Sequence, residues 1–121
     1  MTPCTVLVVD DDDDIRETVA DALTQYGHVV LQAKEGADAL RVLRETESLP
    51  GLILLDLMMP GMDGITFRHH QTQDTRLRGI PVVVLSADAH AEARTSAMGV
   101  AACYRKPVKL AALYELVDRY C

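Results

Sequence analysis

The sequence predicts an α/β domain in which a parallel five-stranded sheet carries helices on both faces. Three observations point there. The strongest apolar runs are nearly continuous rather than alternating, as strands covered on both sides require. Helix-period patterns lie between successive runs, so strand and helix alternate five times. Acidic, hydroxyl and lysine side chains stand just past several runs, where open parallel sheets place their ligands.

The first run is "TVLVV" (5–9), and five consecutive aspartates follow it. Ile15, Val19, Leu23 and Tyr26 then recur at helical spacing, with Asp13 or Asp14 placed to cap that helix and Gly27 to end it. "HVVLQA" (28–33) is the second strand, and Ala39, Leu40 and Leu43 mark a helix that stops before Pro50-Gly51. "LILLD" (52–56) is the third strand. A helix over about 63–72 follows from its position between strands, since its apolar pattern is poor. "IPVVVLS" (80–86) leads into an alanine-rich helix over about 90–98, ended by Gly99 and short of apolar anchors. "ACYR" (102–105) is the weakest strand, and Leu110, Leu113, Leu116 and Val117 give the last helix a clear stripe. No linker, repeat or low-complexity stretch divides the chain, so one domain is expected over 1–121.

Composition narrows the function. The net charge of −6 argues against nucleic acid or an anionic membrane surface as a partner. No apolar run reaches the roughly 18 residues of a membrane span, and "MTPCT" lacks the features of a secretion signal. A reducing cytoplasm is the expected setting. Cys4, Cys103 and Cys121 are widely spaced and odd in number, so no disulfide framework and no zinc site is expected. His69 and His70 adjoin each other and form no i, i+4 metal pair.

The expected topology converts the linear pattern into a site. Asp10 and Asp11 follow the first strand, Asp56 ends the third, Ser86 ends the fourth and Lys106 follows the fifth. With the flavodoxin-like strand order 2-1-3-4-5, a (βα)5 three-layer sandwich, the three aspartates face one another at the switch point. Two carboxylates ~4 Å apart repel by roughly 4 kcal/mol at an effective dielectric of about 20. One lysine does not offset three such groups, so a proton or a cation is required. Hard oxygen ligands suit magnesium, and a phosphoryl group beside the metal, a lysine and a hydroxyl has the usual surroundings for transfer. Asp12, Asp13 and Asp14 have the simpler task of complementing a helix N-terminus.

With these residues in place, the chain resembles the receiver domain of two-component response regulators over essentially its whole length. "VLVVDDDDDIRE" is similar to the family's first strand and acidic pair, and "LILLDLMMPGMDG" to its phosphoacceptor strand and loop. "VVVLSA" is similar to its fourth strand with the switch hydroxyl, and "RKPV" to its lysine-proline. The resemblance implies that Asp56 takes a phosphoryl group from a phosphohistidine on a histidine kinase or phosphotransfer protein. It implies magnesium held by Asp11, Asp56 and the backbone carbonyl of Met58, with Asp10 bound directly or through water. Lys106 would meet one phosphoryl oxygen and Ser86 another, with Ala87 leaving room, and the Lys106–Pro107 bond would be cis. Pro60, Gly61 and Gly64 would shape the loop, and the Met58 side chain would shield the acyl phosphate from water.

The chain departs from the family at Cys103, where an aromatic three residues before the lysine usually reports the switch; Tyr104 points to the opposite face of the strand. Val108 stands where Phe is common, and Asp88 borders the site without an assigned role. The expected output is docking to a downstream protein, through the face around helix 4, strand 5 and helix 5, and not turnover as an enzyme. The alternatives are a magnesium-dependent phosphohydrolase with an aspartyl nucleophile and a scaffold that is never phosphorylated. The first normally places its nucleophile on strand 1 with a second Asp two residues on; here Leu57 and Met58 follow Asp56.

Overall fold

The structure is a computed structural model that describes residues 4–121. The strands are β1 (Thr5–Val9), β2 (Val29–Ala33), β3 (Leu52–Leu55), β4 (Val82–Ser86) and β5 (Ala102–Arg105). They form one parallel sheet in the order β2-β1-β3-β4-β5. The helices are α1 (Asp13–Gln25), α2 (Gly36–Glu45), α3 (Gly64–Gln73), α4 (Ala91–Thr95) and α5 (Leu110–Tyr120).

Successive strand residues point to opposite faces, which divides the core in two. Leu7, Val9, Ile53, Leu55 and Val84 pack with Leu40 and Leu43 of α2 and Phe67 of α3. Val6, Val8, Leu54 and Leu85 pack on the other side with Leu23 of α1 and Leu113 and Leu116 of α5. β1, β3 and β4 are covered on both sides, so all their residues can be apolar. β2 and β5 lie at the edges, which is why β5 reads weakly.

Local chemistry adjusts several boundaries. Asp12 caps α1, accepting from the amides of Asp14 (3.0 Å) and Ile15 (3.1 Å). This corrects the expectation of Asp13 or Asp14, both of which lie inside the first turn. Gly27 leaves that helix at a φ of +100°, a conformation glycine adopts freely. α4 is only five residues long, shorter than the nine expected (90–98). Thr95 Oγ1 donates to Glu92 O and Ser96 Oγ to Ala93 O, local bonds that compete with helix continuation, and Ala91 and Thr95 are its only buried residues.

α3 reads poorly because half of what it buries is polar: Phe67 shares its inner face with Arg68 and Gln71. The Arg68 guanidinium donates to Met98 O (2.9 Å), Gly99 O (3.0 Å) and Gln71 Oε1 (2.8 Å). Gln71 in turn donates to Leu77 O and Ile80 O at 3.0 Å each. The network fastens the turn after α4 to α3. Burial lowers the Arg68 pKa from its ordinary value.

The cysteines need a correction. Cys4 and Cys121 form a disulfide with a Cα–Cα distance of 6.0 Å, and Cys103 is free. Sequence spacing gave no hint of the pair, because 117 positions separate residues that the sheet and α5 bring together. A side chain at Gly51 would crowd both sulfurs, with its Cβ 3.1 Å from one and 3.4 Å from the other.

Arg68→Met preserves length and removes every hydrogen bond of the guanidinium. Leaving buried carbonyls without a donor is expected to cost about 2 kcal/mol. The loss should appear as a lower urea midpoint with an unchanged slope. A midpoint at or above the parent's would show that the network contributes no stability.

Candidate phosphoacceptor site

Strand register builds the site. Val9 of β1 is paired with Leu55 of β3, so the residues that follow them, Asp10 and Asp56, leave the sheet side by side. Their backbones remain tied to it: Asp10 N donates to Ala33 O at 3.1 Å and Asp56 N to Val9 O at 3.0 Å. Asp10 and Asp56 are buried, and Asp11 is exposed beside them. One carboxylate oxygen from each of the three lies within 4.8 Å of the others.

Lys106 enters from the far side. Ser86 of β4 pairs with Arg105 of β5, and Lys106 N donates to Ser86 O at 2.9 Å. The ammonium bonds Asp10 Oδ2 at 2.5 Å and lies 3.4 Å from Asp56 Oδ2. The Lys106–Pro107 peptide is cis.

The electrostatics follow from this packing. Burial raises the Asp56 pKa above the ordinary carboxylate value; the Lys106 charge opposes the rise, the neighbouring Asp10 adds to it, and the Met58 amide, donating to Oδ1 at 3.3 Å, opposes it. Burial alone would depress Lys106, but its bond to Asp10 and the charges of Asp56 and Asp10 prevail and raise it. A single ammonium therefore stands among three acidic groups. Hard oxygen donors, a negative excess and an exposed edge at Asp11 are what a magnesium ion with retained waters requires. The donor set fits that ion.

The surrounding loops are anchored closely. α3 starts against the Asp56 backbone: a Cβ at Gly64 would lie 2.5 Å from Asp56 O and 2.9 Å from Leu57 Cα. Met58 extends outward, 58% exposed, while Met59 is buried. Ser86 is fully buried and its Oγ accepts the Asp88 amide at 3.1 Å, so it does not cap α4. Ala87 is exposed at the rim. Cys103 packs on the side of α2, α3 and α4, and Tyr104 on the side of α1 and α5. Burial raises the Cys103 thiol pKa.

Two arginines at the site escape sequence reasoning. Buried Arg16 donates to Asp10 O at 3.0 Å and to Gln32 Oε1 at 3.1 Å, joining α1, β2 and the acidic turn. Its i, i+3 spacing from Asp13 (2.7 Å) was the available signal. Arg94 donates to Asp88 Oδ2 at 2.7 Å and lies 3.6 Å from the Met58 sulfur. Nothing in the spacing marks that contact. Asp88 also accepts from His90 N at 2.8 Å, and that bond, with the Arg94 pair, holds its pKa below the usual carboxylate value.

The same architecture occurs in known proteins. The family model for the response regulator receiver domain matches residues 6–118. The chain is 42% identical over 89 residues to the phosphate regulon transcriptional regulatory protein PhoB of Escherichia coli (strain K12), an alignment covering 74% of this chain and 38% of PhoB. It is 37% identical over 119 residues to the sensor histidine kinase RcsC of Salmonella typhi, covering 95% of this chain and 12% of RcsC. It thus spans well under half the length of these two relatives. The chemotaxis response regulator CheY4 of Vibrio cholerae superposes with a TM-score of 0.88 at 25% identity, over 99% of this chain and 100% of that one. The chain belongs to the response regulator receiver domain family, the phosphorylatable signalling module of two-component systems.

Proposed function

We propose that Asp56 is the phosphoacceptor and that its phosphorylation changes which protein this domain binds. The observation that carries the reading is the gathering of Asp10, Asp11 and Asp56 around Lys106, at the one rim where β1, β3 and β5 end. An Asp56 carboxylate oxygen attacks the phosphorus of a phosphohistidine on a histidine kinase or phosphotransfer protein. A P–O bond forms and the P–N bond breaks. The electron pair returns to the imidazole nitrogen, which takes up a proton. Asp10, Asp11, Asp56 and the Met58 carbonyl would hold magnesium, which would supply positive charge against the phosphoryl oxygens.

The remaining work falls to the chain. Lys106 already touches Asp56 and exchanges that contact for a phosphoryl oxygen. The Ser86 hydroxyl donates to a second oxygen, and Ala87 leaves that oxygen space. Cys103 has no ring to reorient, so the signal passes through packing: Cys103 contacts the α2–α4 side, where α4 has few anchors. The output surface is then the face of α4, β5 and α5, read by a downstream protein. An apolar groove of about 510 Å³ between α1 and α5 adjoins the rim, lined in part by Ile15, Val19, Pro107 and Leu113, with Lys106 at its edge. It offers an incoming phosphodonor protein a surface next to the acceptor. Negative net charge favours protein over nucleic-acid partners. Among the described residues no helix is long and apolar enough to cross a membrane. The setting proposed is the cytoplasm. The domain performs no turnover beyond its own phosphorylation and dephosphorylation.

Intact-mass analysis tests the assignment. Acetyl phosphate with magnesium should add one phosphoryl group to the parent and none to Asp56→Asn, and omitting magnesium should abolish the gain. A gain in Asp56→Asn would place the acceptor elsewhere.

The raised Asp56 pKa has a second consequence. A carboxyl whose pKa is higher folded than unfolded binds more protons in the folded state, so stability falls as pH rises from the unfolded value through the folded one. In the metal-free protein, Asp56→Asn should flatten that decline and raise stability at neutral pH by about 1 kcal/mol. Equal pH slopes for the two proteins in chemical denaturation would show that Asp56 is not strained by its surroundings.

A further inference from the structure

Both oxygens of the Asp10 carboxylate are engaged: Oδ1 accepts the Asp12 amide at 2.9 Å, and Oδ2 bonds the Lys106 ammonium. Asp11 differs. It is exposed, so packing does not aim its carboxylate, and the backbone that carries it must. That backbone is the Asp10–Asp11 peptide, a planar unit whose carbonyl oxygen accepts from Arg16 Nη1 at 3.0 Å. The guanidinium is fixed in turn by Gln32 Oε1 of β2, 3.1 Å from Nε, and by Asp13 Oδ1 at 2.7 Å. Arg16 is buried and belongs to α1. One rigid fork thus joins a helix, an edge strand and the peptide between two acids of the site. Its charge has a separate effect, since a cation behind the acidic cluster repels a second cation. Aim and charge therefore predict opposite signs when Arg16 is removed.

We propose that Arg16 is a positioning residue for magnesium: by fixing the Asp10–Asp11 peptide it keeps the Asp11 carboxylate turned toward that of Asp56, and this gain in fit exceeds the repulsion from its charge. The proposal rests on the reading of Asp10, Asp11 and Asp56 as the magnesium site. The three carboxylates offer oxygens within 4.8 Å of one another, a spacing that survives only while the peptide keeps its tilt. Gln32 extends the device into the sheet. It orients the fork from β2, the strand that also receives the Asp10 amide at Ala33 O. Rim and sheet edge are thereby held in one register.

The test titrates magnesium chloride into the metal-free protein, without phosphodonor, and follows the amide resonances of residues 10–12. Arg16→Met and Arg16→Lys should both bind about tenfold more weakly than the parent, the lower end of what lost outer-sphere support costs a metal site. Lysine keeps the charge but not the fork. If charge alone matters, Arg16→Met binds more tightly and Arg16→Lys like the parent, and the proposal is overturned. Parent-like affinity in both variants overturns it too, since a purely structural arginine would lower stability and leave the Kd of the folded protein in place. Should neither variant fold, Gln32→Leu decides: weaker binding supports the proposal and parent-like binding overturns it. Phosphoryl uptake from acetyl phosphate, read by intact mass, gives a second check. The magnesium concentration at half-maximal rate should rise with the Kd, while the rate at saturating magnesium stays within about twofold. A parent that binds magnesium but gains no phosphoryl group would sink the Asp56 assignment and leave Arg16 to the titration. A parent that binds no magnesium would sink both.

Discussion

Charge crowding at the end of a parallel sheet is the constraint on which the rest of this molecule depends. The pairing of Val9 with Leu55 forces Asp10 and Asp56 into adjacent positions, and burial keeps water from screening them. Lys106 reduces the repulsion without removing it, because it bonds Asp10 closely and Asp56 at longer range. The domain therefore keeps an unsatisfied electrostatic demand at one rim, one that a bound cation would answer. The dry, well-packed sheet beneath serves to hold that demand in place. Native proteins commonly concede stability at such sites.

How tightly each flank is fastened differs with its role. The acidic turn is held by Arg16 and by the Asp12 cap, and α3 starts hard against the Asp56 backbone at Gly64. The β4–α4 side is looser: a five-residue helix, two buried side chains, and a following turn that Arg68 pins from α3. A two-state switch needs a rigid reference and a segment with small local stability. The acidic turn and the start of α3 supply the first, and the short α4 supplies the segment with few buried side chains.

Much of this was legible in the sequence because parallel strands covered on both sides leave an unmistakable apolar run. The rim residues that follow such runs converge whatever the loops do, so Asp10, Asp11, Asp56 and Lys106 could be brought together from topology alone. What escaped was chemistry between side chains. Arg68 and Gln71 look like surface residues, yet they occupy buried positions of α3 and blur its periodicity. Arg94 and Asp88 meet through an irregular turn that no spacing rule describes. Asp12, one among five identical neighbours, takes the cap because strand register decides where the helix begins. The disulfide between Cys4 and Cys121 depends on the last helix returning to the start of β1, a closure that counting cysteines does not reveal.

That closure has a geometric corollary. Cys4 precedes β1, so the two sulfurs mark the pole of the sheet where strands begin, opposite the rim where they end at Asp10 and Asp56. Modules tethered at either cysteine would depart from a common point and leave the rim of Asp10 and Asp56 unobstructed. A tether on that pole would not shadow the opposite rim.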